Sequence, residues 1–87
     1  MEIKLLEEAD EDLLFWIKTG NKSIQKKINQ LLTSIQATPY SGIGKPEALK
    51  HHLSGLWSRR INSEHRLVYE IDENQNLIIV HSLKGHY

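Results

Sequence analysis

Along the first forty residues apolar positions recur at helical spacing, and beyond residue 55 the period shortens to that of strands. Ile3, Leu5 and Leu6 make a short extended segment, after which Leu6, Ala9, Leu13, Trp16 and Ile17 fall on one face three and four residues apart. A strand running into a helix is predicted, with Gly20 as its stop. Asp10, Glu11 and Asp12 are expected in the first turn and Lys18 near the last, which suits the helix dipole. Asn21 or Ser23 can cap a second helix whose Ile24, Ile28, Leu31, Leu32 and Ile35 form a single apolar stripe. So short a connection implies an antiparallel helix hairpin, and its shared apolar face needs another layer to cover it.

That layer is a sheet. Thr38-Pro39 closes the second helix, and Tyr40 to Pro46, with Gly42 and Gly44, reads as a constrained loop without a regular element. Leu56 to Ile61, His65 to Ile71 and Leu77 to Leu83 then read as strands whose short connections predict an antiparallel meander. In the first, Trp57, Arg59 and Ile61 alternate with Leu56, Ser58 and Arg60; in the second, Leu67, Tyr69 and Ile71 alternate with Arg66, Val68 and Glu70. Leu77 to Val80 is apolar at every position, as expected of a strand covered on both faces. The expected fold is therefore α+β: an N-terminal strand, a two-helix hairpin and a three-stranded antiparallel meander, with the helices on one face of a curved sheet. The other face stays open as a cleft floored by the polar positions of the meander.

A chain of 87 residues is expected to be a single domain, residues 1–87, with a feasible but modest core. The absence of cysteine excludes disulfides, thiolate metal sites and a thiol nucleophile. Lys and Arg balance Asp and Glu at 11 each, but the distribution is uneven. Glu2, Glu7, Glu8, Asp10, Glu11 and Asp12 crowd one end, whereas Gly44 to Arg66 holds Lys45, Lys50, Arg59, Arg60 and Arg66 against Glu47 and Glu64. A neutral total thus conceals opposed patches, one of them able to attract phosphate. The acidic start and the lack of a long apolar run indicate neither export nor membrane insertion and fit a cytoplasmic protein.

Gly44 to Tyr69, GKPEALKHHLSGLWSRRINSEHRLVY, is also the part richest in reactive groups. A carboxylate, guanidinium groups and imidazoles form a set suited to the proton transfers and charge build-up of phosphodiester cleavage. Taken alone, Glu47 beside Lys45 and Lys50 reads more readily as a surface ion pair, and an arginine on a strand as a salt-bridge partner. The five histidines do not form a standard metal-ligand spacing.

Longer words change that weighting. KKIN at Lys26 to Asn29, TPYSGIGKPEALK from Thr38 to Lys50, LSGLWSRRI from Leu53 to Ile61, EHRLVY from Glu64 to Tyr69 and the terminal His86-Tyr87 resemble the Txe/YoeB family of toxin endoribonucleases. That family lies within the RelE superfamily of bacterial type II toxin–antitoxin systems, and the resemblance spans nearly the whole chain. It implies a RelE-like microbial ribonuclease fold and metal-independent cleavage of messenger RNA in the ribosomal A site by 2′-hydroxyl attack. It places the general base on Glu47, charge stabilisation on Arg66 with Arg60 and Lys50 alongside, and the general acid on His86. Tyr87 would orient the scissile phosphate or stack on a base. No metal or cofactor is implied; the implied partners are mRNA and the ribosome, a cognate antitoxin and a second copy of the toxin.

Arg59 points to the opposite side of its strand from Arg60 and reads as structural, as does His65; no role is assigned to His51 or His52. The sequence departs from the family pattern at Ala48, Leu56 and Gly85, and a glycine before His86 is expected to loosen the chain end. Leu14 and Phe15 lie off the core stripe and are expected contacts for a partner. The competing reading is a non-catalytic superfamily relative of the gyrase-poisoning type, which lacks Glu47, Arg66 and His86 as a set.

Overall fold

The computed structural model describes residues 1–85. Strand β1 (Glu2–Leu5) leads into helix α1 (Glu7–Lys18) and helix α2 (Lys22–Ala37), followed by β2 (Glu47–Ala48), a single 3₁₀ turn at His51–Leu53, β3 (Trp57–Arg60), β4 (Arg66–Asp72) and β5 (Leu77–Ser82). The five strands form one sheet in the order β1-β5-β4-β3-β2. The meander β3-β4-β5 is antiparallel, β1 adds parallel to β5, and β2 adds antiparallel to β3.

The expected α+β architecture is present, with both helices against one sheet face. Ile24, Ile28, Leu31 and Ile35 of α2 are buried against Leu67, Tyr69, Ile78 and Val80 of the sheet, and Leu32 packs at the margin. Asn21 caps α2, its side-chain oxygen accepting from the Ile24 N–H at 3.2 Å. Ala9 and Trp16 of α1 are buried and Leu13 packs beside them.

Three sequence expectations are corrected. Ile17 is 51% exposed, because at 100° per residue it lies about 80° round the helix from Ala9, beyond the arc that α2 and β5 cover. Helix α1 begins at Glu7, so its first turn carries Glu7, Glu8 and Asp10, and Asp12 falls in the second turn. Glu47, expected beside a structureless loop, lies in an added edge strand. The cover of β5 is also uneven: Ile78 and Val80 are buried beneath the helices, while Leu77 and Ile79 are half-buried on the other face.

Pairing of Tyr69 with Val80 but of Val68 with Ser82 leaves His81 as an extra residue, a bulge in β5. The bulge turns Ser82 to the open face and Leu83 into the core, where Leu83 is fully buried. Among the described residues no helix is long and apolar enough to cross a membrane.

Candidate functional site

The loop between α2 and β2 is held by one buried cation. Arg59, on the helix side of β3, has no exposed surface and uses its guanidinium to collect the loop. Its Nη2 donates to the carbonyls of Thr38 at 2.7 Å and Ser41 at 2.9 Å, and its Nη1 donates to the Ile43 carbonyl at 3.1 Å and the Ser34 hydroxyl at 2.8 Å. Its Nε donates to the Tyr69 hydroxyl at 3.1 Å, and that hydroxyl donates onward to the Pro39 carbonyl at 2.7 Å. These acceptors are neutral, but one, the Thr38 carbonyl, lies at the C-terminal end of α2, where helix carbonyls present partial negative charge. The alternation of β3 in the sequence already pointed Arg59 away from the cleft, and the structure bears this out.

Burial pushes the Tyr69 phenol above its ordinary pKa of about 10, against the opposing pull of the Arg59 hydrogen bond and charge. Between the unfolded and folded values the unfolded chain ionises at this residue and the folded chain does not. Tyr69 should therefore add no pH dependence to stability below about pH 10 and should destabilise the fold as pH rises further. Denaturant unfolding of wild type and Tyr69→Phe from pH 8 to 11 checks this: the wild-type advantage should be flat, then shrink above pH 10. An advantage that grew would mean the phenolate is the form favoured in the fold.

Close packing around Arg59 explains Gly44. Its φ is +83°, and a Cβ there would sit 2.7 Å from Leu31 Cδ2 and 3.1 Å from Arg59 Cβ. The Arg60 N–H donates to the Gly44 carbonyl at 2.7 Å, so the loop runs directly against β3. Lys45 follows with φ +53°, a left-handed conformation unusual for a side-chain-bearing residue. Pro46 then delivers Glu47 to the sheet edge opposite Ser58.

On the open face, Lys45, Glu47, Leu49, Ser58, Arg60 and Arg66 line one cleft of about 150 Å³. The strand register defines its layout. Glu47 pairs with Ser58 and Ser58 with Val68, which puts the carboxylate at the end of one row across three strands. Arg60 and Arg66 are paired directly in the next row on that face. Two like charges opposite each other on paired strands repel, a cost that an anion lying between them would remove. One terminal nitrogen of Arg66 donates to the carbonyls of Asn62 at 3.0 Å and His65 at 3.2 Å, which fixes the direction of its guanidinium. Further along the open face the Glu70 carboxylate and His81 Nε2 lie 2.7 Å apart, within hydrogen-bond reach.

Glu47, Arg60 and Arg66, proposed from sequence, are thus brought together. Lys50 is exposed at the start of the 3₁₀ turn and is not among the cleft-lining residues. His86 and Tyr87 lie outside the described residues. Sequence reasoning passed over Lys45, treating it as a surface partner of Glu47; the signal available was its place between Gly44 and Pro46, where the backbone is tightly constrained. Ser58 was legible, because alternation puts it on the Arg60 face.

Likeness to known families places the chain among the small toxins of bacterial type II toxin–antitoxin systems. A family profile described as "YoeB-like toxin of bacterial type II toxin-antitoxin system" matches residues 5–87. The chain belongs to the YoeB family. It is 51% identical over 87 residues to Toxin YoeB of Synechocystis sp., covering 100% of this chain and 98% of the relative. The solved YoeB/ParE toxin from Agrobacterium tumefaciens superposes with a TM-score of 0.95 at 37% identity, covering 100% of both chains. YoeB of Staphylococcus aureus in a heterotetrameric YoeB–YefM toxin–antitoxin complex gives a TM-score of 0.87 at 46% identity, covering 100% of this chain and 98% of the other. YoeB of that organism is also known as a dimer.

Proposed function

We propose that the protein is a ribosome-dependent endoribonuclease that cleaves mRNA in the A site and so inhibits translation. The observation that supports this best is the cross-strand pair of Arg60 and Arg66 set one row from Glu47, an arrangement suited to a phosphodiester between base and cations. Glu47 takes the proton from the ribose 2′-hydroxyl, and that oxygen attacks the adjacent phosphorus. As the new bond forms and the bond to the 5′-oxygen breaks, charge grows on the non-bridging oxygens, which Arg66 and Arg60 contact. His86 protonates the departing 5′-oxygen, Tyr87 orients the phosphate, and Lys50 contributes to RNA binding from the margin. The products are a 2′,3′-cyclic phosphate and a free 5′-hydroxyl.

The protein acts as one domain in the cytoplasm, and its partners are the ribosome, an antitoxin and a second toxin chain. The S. aureus YoeB–YefM complex and YoeB dimer support the last two. Leu14, Phe15 and Ile17, exposed together on α1, supply an apolar contact surface for them.

Two measurements test the reading. Message cut by the protein on ribosomes should carry 2′,3′-cyclic or 3′-phosphate ends, and 3′-hydroxyl ends would overturn the mechanism. On programmed ribosomes the new 5′ ends should map to the A-site codon; cuts indifferent to ribosome position would remove the ribosome from the proposal.

A further inference from the structure

The chain does not simply end when β5 ends. Leu83 and Gly85 follow the last strand, yet the N–H and carbonyl of both are taken by partners from separate parts of the molecule. Asp12 Oδ2 accepts the Leu83 N–H at 2.9 Å, and the Trp16 indole Nε1 donates to the Leu83 carbonyl at 3.0 Å. His65 Nδ1 accepts the Gly85 N–H at 2.9 Å, and the Arg66 N–H donates to the Gly85 carbonyl at 2.8 Å. The Trp16 and His65 rings meet edge to face with centroids 4.8 Å apart, which joins the helix side of the clamp to the β4 side. Lys84, between the two clamped residues, places its Nζ 4.1 Å from the centre of the Phe15 ring.

At exposed Gly85 water would satisfy the backbone without any of this, so the His65 side chain committed to it acts as an ordering device, while at buried Leu83 the bonds from Asp12 and Trp16 replace the water that the core excludes. Gly85 itself is held, its φ of +82° being the geometry in which both of its backbone groups are bonded; the looser chain end expected at His86 lies outside the described residues. Nδ1 is the acceptor in this bond, so the tautomer that fits it is the one with its hydrogen on Nε2. The clamp ends at the backbone of Arg66, whose side chain lines the cleft.

The geometry points to Asp12, Trp16 and His65 as positioning residues for the reaction. They fix Gly85 beside Arg66, and with it the backbone to which His86 is joined. Two of the three lie on α1, packed on the sheet face opposite the cleft. This inference rests on the ribonuclease reading above. It adds that the rate of leaving-group protonation depends on residues that never touch RNA.

The test compares His65→Ala, His65→Asn and Trp16→Phe with wild type. Asparagine keeps an acceptor near the place of Nδ1, and phenylalanine keeps the ring edge but loses the N–H donor. His65→Ala and Trp16→Phe should lower the single-turnover cleavage rate on the order of tenfold. Affinity for RNA blocked by a 2′-O-methyl group at the cleaved position should stay within twofold, as measured on folded protein. His65→Asn should recover most of the rate. Exchange of the Gly85 amide should speed up in His65→Ala and not in His65→Asn, with the β4 amides unchanged.

A wild-type rate in His65→Ala, or equal losses of rate and affinity, would overturn the inference, as would a His65→Asn as slow as His65→Ala. Failure of the ribonuclease reading itself shows separately, as absence of cleavage by wild type, and the positioning role then falls with it. The amide-exchange result still reports whether the clamp holds.

Discussion

Arg66→Ala will lower RNA cleavage by about 100- to 1000-fold while leaving a folded protein, the loss usual for one donor to a developing oxyanion. The half-buried side chain gives up two hydrogen bonds, to carbonyls of the exposed turn before β4, so the cost in stability should be only about 1 kcal/mol. Arg66→Lys keeps the charge but loses the fork that spans two oxygens, and should fall between wild type and alanine. Removing one of two facing arginines also relieves their repulsion, which pushes the stability change further towards zero. A fully active Arg66→Ala would take charge stabilisation away from this pair. An unfolded Arg66→Ala would show that the side chain's two carbonyl contacts matter more to the turn than their exposure suggests. Glu47→Ala and His86→Ala should each abolish growth inhibition at matched expression, and full toxicity of either would withdraw its role as base or acid.

The elements that could be read from sequence are those whose cause is local. The α2 stripe lies within one helix, so Ile24, Ile28, Leu31 and Ile35 announce their common burial by spacing alone. The opposite faces of Arg59 and Arg60 follow from strand alternation in the same way. What escaped depends on distant pairing. Strand β2 is two residues long, too short for any period, and exists because Glu47 and Ala48 find Ser58 and Trp57. Asp12 looked like one more acid at a helix start, and its partner Leu83 stands 71 positions away. Ile17 had the right spacing, but spacing does not say how wide an arc the neighbouring elements cover.

The candidate site divides along the same line. Glu47, Arg60 and Arg66 were named through the resemblance of their motifs to a known family, since residue types alone read Glu47 as a surface ion-pair partner and a strand arginine as a salt-bridge partner. Their assembly in one cleft depends on the register of β2 on β3 and of β3 on β4, which no single segment contains. Lys45 entered the cleft through a backbone conformation, φ +53°, that its residue type would not suggest.

Arg59→Met will cost about 4 kcal/mol of unfolding free energy, a large part of the roughly 5–15 kcal/mol typical of a small domain. Methionine fills much of the same volume, so packing loss is limited and the effect isolates the hydrogen bonds. Those bonds serve the carbonyls of Thr38, Ser41 and Ile43 and the hydroxyls of Ser34 and Tyr69. A buried acceptor stripped of its donor costs about 1–3 kcal/mol, less wherever the loop opens to water. Losing a buried charge recovers part of that sum, which is why the expectation is well below five full penalties. Arg59→Lys should do little better, because one ammonium with three hydrogens cannot reach acceptors spread from Tyr69 to Thr38. Denaturant unfolding measures the cost, and a change below about 1 kcal/mol would mean that solvent replaces the guanidinium in the loop. The same loop carries Lys45 and Glu47 to the cleft, so variants that remain folded under assay conditions should still lose cleavage activity. Stability and activity would then fall together at a residue that faces away from the cleft, and separately at Arg66, which lines it.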